Sequence, residues 1–433
     1  MSSSKRVSKF LIPAFLIVIL AVSTLAVYMS YSKVNQIKVD TKIDPNAYVG
    51  IAFGGNTTDQ AKLLIDKVES YTNLFILDVG RNPISENQAS VEAICDYAVS
   101  KNLSVIINMG IKDVSVPSSA RNWFWQPLSL DGIKQRWTER WGDKFLGVYY
   151  NDEPGGLQLD ASWRKIYEHI GKYLNQSDFP GAQALNDVQQ KLLNYVNNGT
   201  KPDDYDLEAN FFIQNVLTNG DPGLQNLTAA KIPTFTSDYG LYWWDYLGGY
   251  TTMFAELGWN ASVTEQIALV KGAARLQDKD WGVMITWKYD KPPYLDSGDQ
   301  IYNQMLMSYE AGAKYIAVFD YPYNVTDYGA LTNQHFSALQ RFWNDITHKQ
   351  FADLSAPKAA LVLPNNFGWG LRNPNDTIWG FWLTDNRTLQ VALVTSKLLS
   401  YYGANLDIVY EDAAYPVTKV NYPHVYYWNS TAP

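Results

Sequence analysis

Eight short runs of strand-forming residues, separated by helix-like stretches, constrain this chain more than any other feature. They are YVGIAFGG (48–55), NLFILDVG (73–80), LSVIINMG (103–110), FLGVYYNDEP (145–154), IPTFTSDYG (232–240), YTTMFAELG (250–258), WGVMITWKYD (281–290) and KYIAVFDYPY (314–323). Between them, TTDQAKLLIDKVESY, SVEAICDYAVSKN, SVTEQIALVKGAARLQDK and DQIYNQMLMSYEAGA space their apolar residues at three and four, the period of an amphipathic helix. Strands alternating with such helices build βα units and a parallel sheet. Eight units predict an α/β fold, a (β/α)8 barrel over residues 48–350. An open doubly wound sheet is the competing architecture, but it needs no polar residue at every strand end, and here such residues recur.

One connection is too long for a simple crossover. Residues 157–231 separate the fourth and fifth runs and contain SWRKIYEHIGKYL and LNDVQQKLLNYV, which predict a helical insertion on the rim. Beyond HFSALQRFWNDITHKQF the pattern restarts: KAALVLP, the helix-like TLQVALVTSKLLSYYG closed by Gly403, then LDIVYED and HVYYWNS. This β-α-β-β run predicts a small α/β domain over residues 357–433, of flavodoxin-like or glutamine-amidotransferase-like form. It carries no cysteine nucleophile. Its loop NNFGWGLRNPNDTIWGFW, rich in Gly and Trp, is expected to pack back on the barrel.

The N-terminus reads differently. Residues 10–28, FLIPAFLIVILAVSTLAVY, are uncharged and apolar, close to the roughly 20 residues a helix needs to cross a bilayer. Lys5, Arg6 and Lys9 precede them, which predicts a cytoplasmic tail at 1–9, a transmembrane anchor at 10–28, a spacer at 29–47 and an extracellular bulk held at the cell membrane by a single pass. A cleaved signal peptide is the rival, although its apolar region is shorter and ends in a small-x-small site. Ten Asn-x-Ser/Thr sequons, at Asn56, Asn102, Asn175, Asn198, Asn226, Asn260, Asn324, Asn375, Asn386 and Asn429, suit an exported glycoprotein. Cys95 is the sole cysteine, so no intrachain disulfide forms and stability must come from the core. A net charge of −8 with no basic run argues against nucleic acid as a partner.

Strand ends decide chemistry in a barrel, because its C-terminal face builds the site. In order they offer Asn56, Asp78 and Arg81, Asn108, the trio Asn151, Asp152 and Glu153, then Asp238, Glu256, Trp287 and Lys288, and finally Asp320 and Tyr321. The four histidines, His169, His335, His348 and His424, are scattered and form no imidazole set for a metal. No G-x-G-x-x-G, no G-x-x-x-x-G-K-[ST] and no G-x-S-x-G occurs, so no cofactor or metal is expected. A ring of carboxylates without those signatures fits glycosidic hydrolysis, which needs one carboxylic acid and one carboxylate facing each other across the bond.

At YYNDEP the chain resembles the glycoside hydrolases with (β/α)8 barrels, many of which carry a catalytic Glu at the end of the fourth strand, often just after Asn or Asp. The resemblance spans roughly residues 48–350. A barrel followed by an amidotransferase-like domain is similar to an arrangement found in some β-galactosidases. These proteins place a second Glu at the end of the seventh strand, whereas this chain has Thr286-Trp287-Lys288 there and offers Glu256 in FAELGWN on the sixth. The resemblance therefore implies Glu153 as general acid/base, and the strand-end residues offer Glu256 as its partner in place of the seventh-strand Glu. Asn151, Asp152, Asp78, Arg81, Asn108, Asp238, Trp287, Lys288, Asp320 and Tyr321 are the expected substrate-binding residues, and a carbohydrate is the expected ligand. Asp152 could orient a substrate acetamido group; equally, Asp152 and Glu153 could serve as rim salt-bridge or capping residues behind Pro154. A catalytically silent, glycan-binding or cell-envelope barrel is the reading from a different class.

Overall fold

The computed structural model describes residues 46–78, 83–85, 87–108, 130–160, 191, 194, 198, 204–214, 223–259, 261–323 and 325–430. The apolar run at 10–28, Arg81 and most of the 157–231 insertion lie outside them. Among the described residues no helix is long and apolar enough to cross a membrane. The described residues fall into two compact units, 46–343 with 353–430, and 344–352. In the smaller unit Lys349 pairs with Asp345 at 2.7 Å.

In the larger unit eight parallel strands close into a barrel in sequence order: β1 Tyr48–Phe53, β2 Leu74–Leu77, β3 Ser104–Asn108, β4 Phe145–Tyr149, β5 Thr234–Asp238, β6 Thr252–Leu257, β7 Asp280–Ile285 and β8 Tyr315–Asp320, with β8 pairing back to β1. Each strand lies within its apolar run, β7 starting one residue ahead, and Asn108, Asp238, Glu256 and Asp320 fall at the strand ends while Asp78, Asp152, Glu153, Trp287 and Lys288 fall in the loops that follow. The helices are α1 Thr58–Val68, α2 Gln88–Ser100, α3 Leu130–Trp141, α4 Pro154–Asp160, α5 Asp206–Phe211, α6 Gly223–Ala229, α7 Tyr242–Gly248, α8 Val263–Leu276, α9 Gly298–Glu310 and α10 Asn333–His348. Thr57 with Gln60, and Ser297 with Gln300, close reciprocal capping boxes that start α1 and α9.

The alternation of strand side chains fills the barrel in layers. Ile76, Ile106, Phe235, Phe254, Met284 and Ala317 pack into one cluster with Ala52, Leu74, Tyr149 and Tyr315. Burying each large apolar side chain contributes about 1.5–3 kcal/mol. At the β4 seam the register shifts across Leu146, and only Val148 and Tyr149 pair with β5. Gly147 makes that seam possible: its φ is 149°, and a Cβ there would sit 2.3 Å from the Pro233 carbonyl oxygen.

A second sheet follows. Strands β9 Ala359–Leu363, β10 Leu406–Tyr410 and β11 His424–Tyr427 are parallel in the order β10-β9-β11, with helix α11, Asn386–Tyr402, between β9 and β10. It lies against α8 of the barrel, where a Cβ on Gly272 would meet the Ile408 carbonyl oxygen at 2.3 Å. The closed eight-stranded barrel with a small parallel sheet is an α/β TIM-barrel architecture.

Candidate active site

The layer above the barrel core is polar. Two residues beyond Ile76, Ile106, Phe235, Phe254, Met284 and Ala317 in their strands come Asp78, Asn108, Ser237, Glu256, Thr286 and Phe319, on the same inward face. A cleft of about 290 Å³ opens there, lined by Asp78, Asp152, Glu153, Ser237, Glu256, Trp259, Met284, Thr286, Trp287, Phe319 and Tyr321.

Four carboxyls share this cleft. Ser237 Oγ donates to Glu256 Oε1 at 2.5 Å and lies 2.8 Å from the Tyr149 hydroxyl, which donates to Asp152 Oδ1 at 2.5 Å. Asn108 Nδ2 donates to Asp78 Oδ1 at 3.0 Å. Burial and the neighbouring Asp152 charge push Glu153 up to about 7, while a hydrogen-bonding contact with Glu256 opposes the rise. Burial, then the charges of Glu153 and Asp152, hold Glu256 well above the ordinary carboxylate range. Burial and Asp152 raise Asp78 to about 8. Asp152 is raised by burial and drawn back by the Tyr149 and Ser237 hydroxyls. Acids crowded in this way cannot all ionise, so near neutrality the cleft holds protonated and ionised carboxyls side by side, the arrangement general acid and base chemistry requires.

The loop carrying Glu153 has an unusual backbone. Asn151 and Glu153 adopt left-handed φ values of 53° and 50°. The Glu153 N–H donates to the Ser237 carbonyl at 3.1 Å, and the Thr236 hydroxyl donates to the Asn151 carbonyl at 2.7 Å. Pro154, with no N–H to satisfy, then opens α4 at the position where proline costs least.

An aromatic wall closes the other side. Trp287 lies 5.1 Å from Tyr321, 5.5 Å from Tyr323, 6.0 Å from Phe319 and 6.3 Å from Trp259, and Tyr323 stacks on Tyr294 at 4.2 Å. Trp259 is 42% and Tyr321 37% exposed, so their rings are open to a ligand face. Thr286 Oγ1 and Trp287 Nε1 are buried without a hydrogen-bond partner among the described residues.

Of the sequence-derived residues, the structure gathers Asp78, Asp152, Glu153, Glu256, Trp287 and Tyr321 into this cleft, with Asn108 behind Asp78. Others lie elsewhere. Asp238 faces α4, where Oδ2 accepts the Gly155 N–H at 2.5 Å and Oδ1 the Gly156 N–H at 2.8 Å. Asp320 Oδ1 accepts the N–H groups of Ala330 and Leu331. Lys288 pairs with Asp296 at 3.3 Å. Asn151 shapes the turn, and the backbone N–H of Asn56 joins the cap of α1. Ser237, Trp259, Met284, Thr286 and Phe319 were not foreseen. Strand phase would have found four of them: Ser237 and Phe319 each precede, by one residue, an aspartate that points outward. Among the described residues no three His, Cys, Asp or Glu side chains are arranged to hold a metal ion.

No protein-family model matches the chain. Nor does any curated protein match it. Solved structures similar to it include a GH5_18 from Bifidobacterium longum subsp. infantis, 9% identical over 89% of this chain and 97% of that one, TM-score 0.47. A GH5_18 from Streptomyces cattleya, solved in complex with GlcNAc, is 12% identical over 90% of this chain and 99% of its own, TM-score 0.44. A 3-hexulose-6-phosphate synthase is 11% identical over 67% and 99%, TM-score 0.30.

Proposed function

We propose that the chain is a glycoside hydrolase in which Glu153 is the general acid/base and Glu256 the partner carboxylate. One observation carries this reading. Glu153, from the loop after β4, and Glu256, from β6, line one aromatic-walled cleft, and burial with neighbouring negative charge raises both carboxyls, so the pair keeps a proton near neutrality. The more open Glu153 donates its proton to the leaving glycosidic oxygen as the bond to the anomeric carbon breaks. In the productive form of the pair the retained proton sits on Glu153, and Glu256, which accepts from the Ser237 hydroxyl, is the ionised member and bonds to the anomeric carbon; in the second half Glu153, now ionised, takes a proton from the attacking water, which displaces Glu256. This double displacement retains the anomeric configuration, the outcome that goes with carboxyls about 5–5.5 Å apart rather than about 6.5–9.5 Å. Asp78, Asp152, Trp259, Trp287 and Tyr321 would bind the sugar.

The test is Glu153→Gln. Turnover of glycosides with poor leaving groups should fall by about 10² to 10⁴, the usual worth of general acid–base catalysis. Activated aryl glycosides, which need little protonation, should lose much less. Full activity of the variant on the unactivated substrate would remove Glu153 from the mechanism. A second reading, a silent glycan-binding barrel, is favoured by Thr286-Trp287-Lys288 where a strand-end Glu is expected; it requires that the parent protein bind oligosaccharide and cleave none.

Two further elements belong to the proposal. The 357–433 segment is flavodoxin-like, which the β10-β9-β11 order supports: the first strand is central, as in a 2-1-3 start. The barrel lies outside the cell behind an anchor at 10–28, supported by Lys5, Arg6 and Lys9 and by the ten sequons. Protease added to intact cells should then degrade the large unit, and full protection would reject this topology.

A further inference from the structure

We propose that the C-terminal sheet domain positions the acid/base: its loop at residues 365–382, acting through Arg372, fixes the far end of α4 and with it the carboxyl of Glu153 at the near end. The chemistry rests on the glycosidase reading above. The geometry stands independently.

Glu153 sits in left-handed backbone that a non-glycine residue keeps only where its surroundings over-determine it. The adjoining α4 has seven residues and cannot hold itself in place by its own hydrogen bonds. Its near end is held from the barrel by Asp238. Its far end is held from the C-terminal loop by three separate bonds: Gln158 Nε2 to the Trp379 carbonyl at 2.9 Å, the Thr377 hydroxyl to the Leu159 carbonyl at 3.0 Å, and Arg372 Nη1 to Asp160 Oδ1 at 2.8 Å.

Arg372 is itself held rigidly. Nε and Nη2 form a fork on Asp376, at 2.8 and 2.6 Å, and its guanidinium lies over the Tyr239 ring at 5.3 Å. Tyr239 donates to the second oxygen of Asp160 at 2.7 Å, so the two groups grip one carboxylate from two sides. Helix α4 rests on the same ring: a Cβ on Gly156 would meet Tyr239 at 2.2 Å. The loop is anchored in turn by Trp379, packed 4.7 Å from Trp244 of α7. Holding the two domains together does not need this grip, because α8 and β10 already join them through the buried Lys271–Asp407 pair. What the loop adds is contact with the one helix that follows Glu153.

The experiment compares Arg372→Met, Asp160→Ala, Asp160→Asn, the Arg372→Met/Asp160→Ala double variant and Glu153→Gln in the full chain. It measures kcat and KM on an unactivated oligosaccharide and on an activated aryl glycoside, with Tm alongside. Arg372→Met and Asp160→Ala should each lower kcat on the unactivated substrate by about 10²-fold, the cost of a misplaced catalytic group, and leave the aryl glycoside within a few-fold. The double variant should lose clearly less than the product of the two single losses, since both singles remove the Arg372–Asp160 contact. Asp160→Asn keeps an acceptor for Nη1 and should retain most of the rate. Asp160 is exposed, so its variants should fold even if Arg372→Met does not. The proposal is overturned if both substrates fall together in step with Tm, or if neither falls while Glu153→Gln does. A fully active Glu153→Gln would instead overturn the glycosidase reading and this inference with it.

Discussion

Asp238 Oδ2 accepts the backbone N–H of Gly155 at 2.5 Å, so the carboxylate ending β5 caps the helix that begins just behind Glu153. Its other oxygen takes the N–H groups of Gly156, Tyr239 and Gly240. Asp238→Ala removes the acceptor of all four N–H groups, each hydrogen bond worth about 0.5–1.5 kcal/mol net. Urea denaturation should show a loss of about 2–5 kcal/mol with an unchanged m-value. A loss below about 0.5 kcal/mol, the scale of an ordinary surface change, would show that the cap is dispensable.

The buried carboxyls make stability pH-dependent in a direction opposite to simple acid denaturation. Burial raises Asp78 to about 8 and Glu153, Asp238, Asp320, Glu208 and Glu265 to about 7. The unfolded chain releases these protons near pH 4 and the folded chain keeps them, so between those limits stability declines as pH rises, by up to ~1.4 kcal/mol per pH unit per group. Carboxyls held low by a partner, such as Asp96 by Arg140, act the other way, but their stabilisation is lost only as pH falls below the ordinary carboxylate range. Thermal unfolding should therefore give a Tm that is highest near pH 5 and falls toward pH 8. A Tm rising over that interval would contradict the placement of these groups.

The Lys271–Asp407 pair holds the small sheet to the barrel. Its atoms are 3.2 Å apart, with side chains 1% and 0% exposed, and Asp407 also accepts from Arg275 Nε at 2.7 Å and the Tyr422 hydroxyl at 2.9 Å. Lys271 donates to the Ala404 carbonyl as well. Removing one partner strands a buried charge, so Asp407→Ala should cost about 3–5 kcal/mol, whereas replacing Lys271 and Asp407 together by Met and Leu should cost far less. Equal losses in the single and double variants, measured by denaturant titration, would refute the ion-pair account. Deleting residues 357–433 exposes Lys271 together with Trp243 and Trp244, which pack on Tyr410, and should lower Tm more than any single variant does.

The order of elements was legible because local pattern determines it. Apolar runs of β-branched and aromatic residues can satisfy their backbones only as buried parallel strands when amphipathic helices separate them, and the eight runs and eight strands coincide in sequence. The carboxylate-rich strand ends were legible for the same reason: a polar residue just past a buried strand has to emerge at a barrel rim. Which of two adjacent residues faces the cleft was not. Ser237 and Asp238 differ by one position, and so do Phe319 and Asp320; barrel closure turned the first of each pair inward and left its aspartate to cap backbone N–H groups. Sequence likewise shows Arg372 and Asp160 as two unrelated charges 212 positions apart. Only the docking of the second sheet on α8 brings them together, because a side-chain contact at that separation is set by the packing of whole domains and by nothing in the local sequence around either residue.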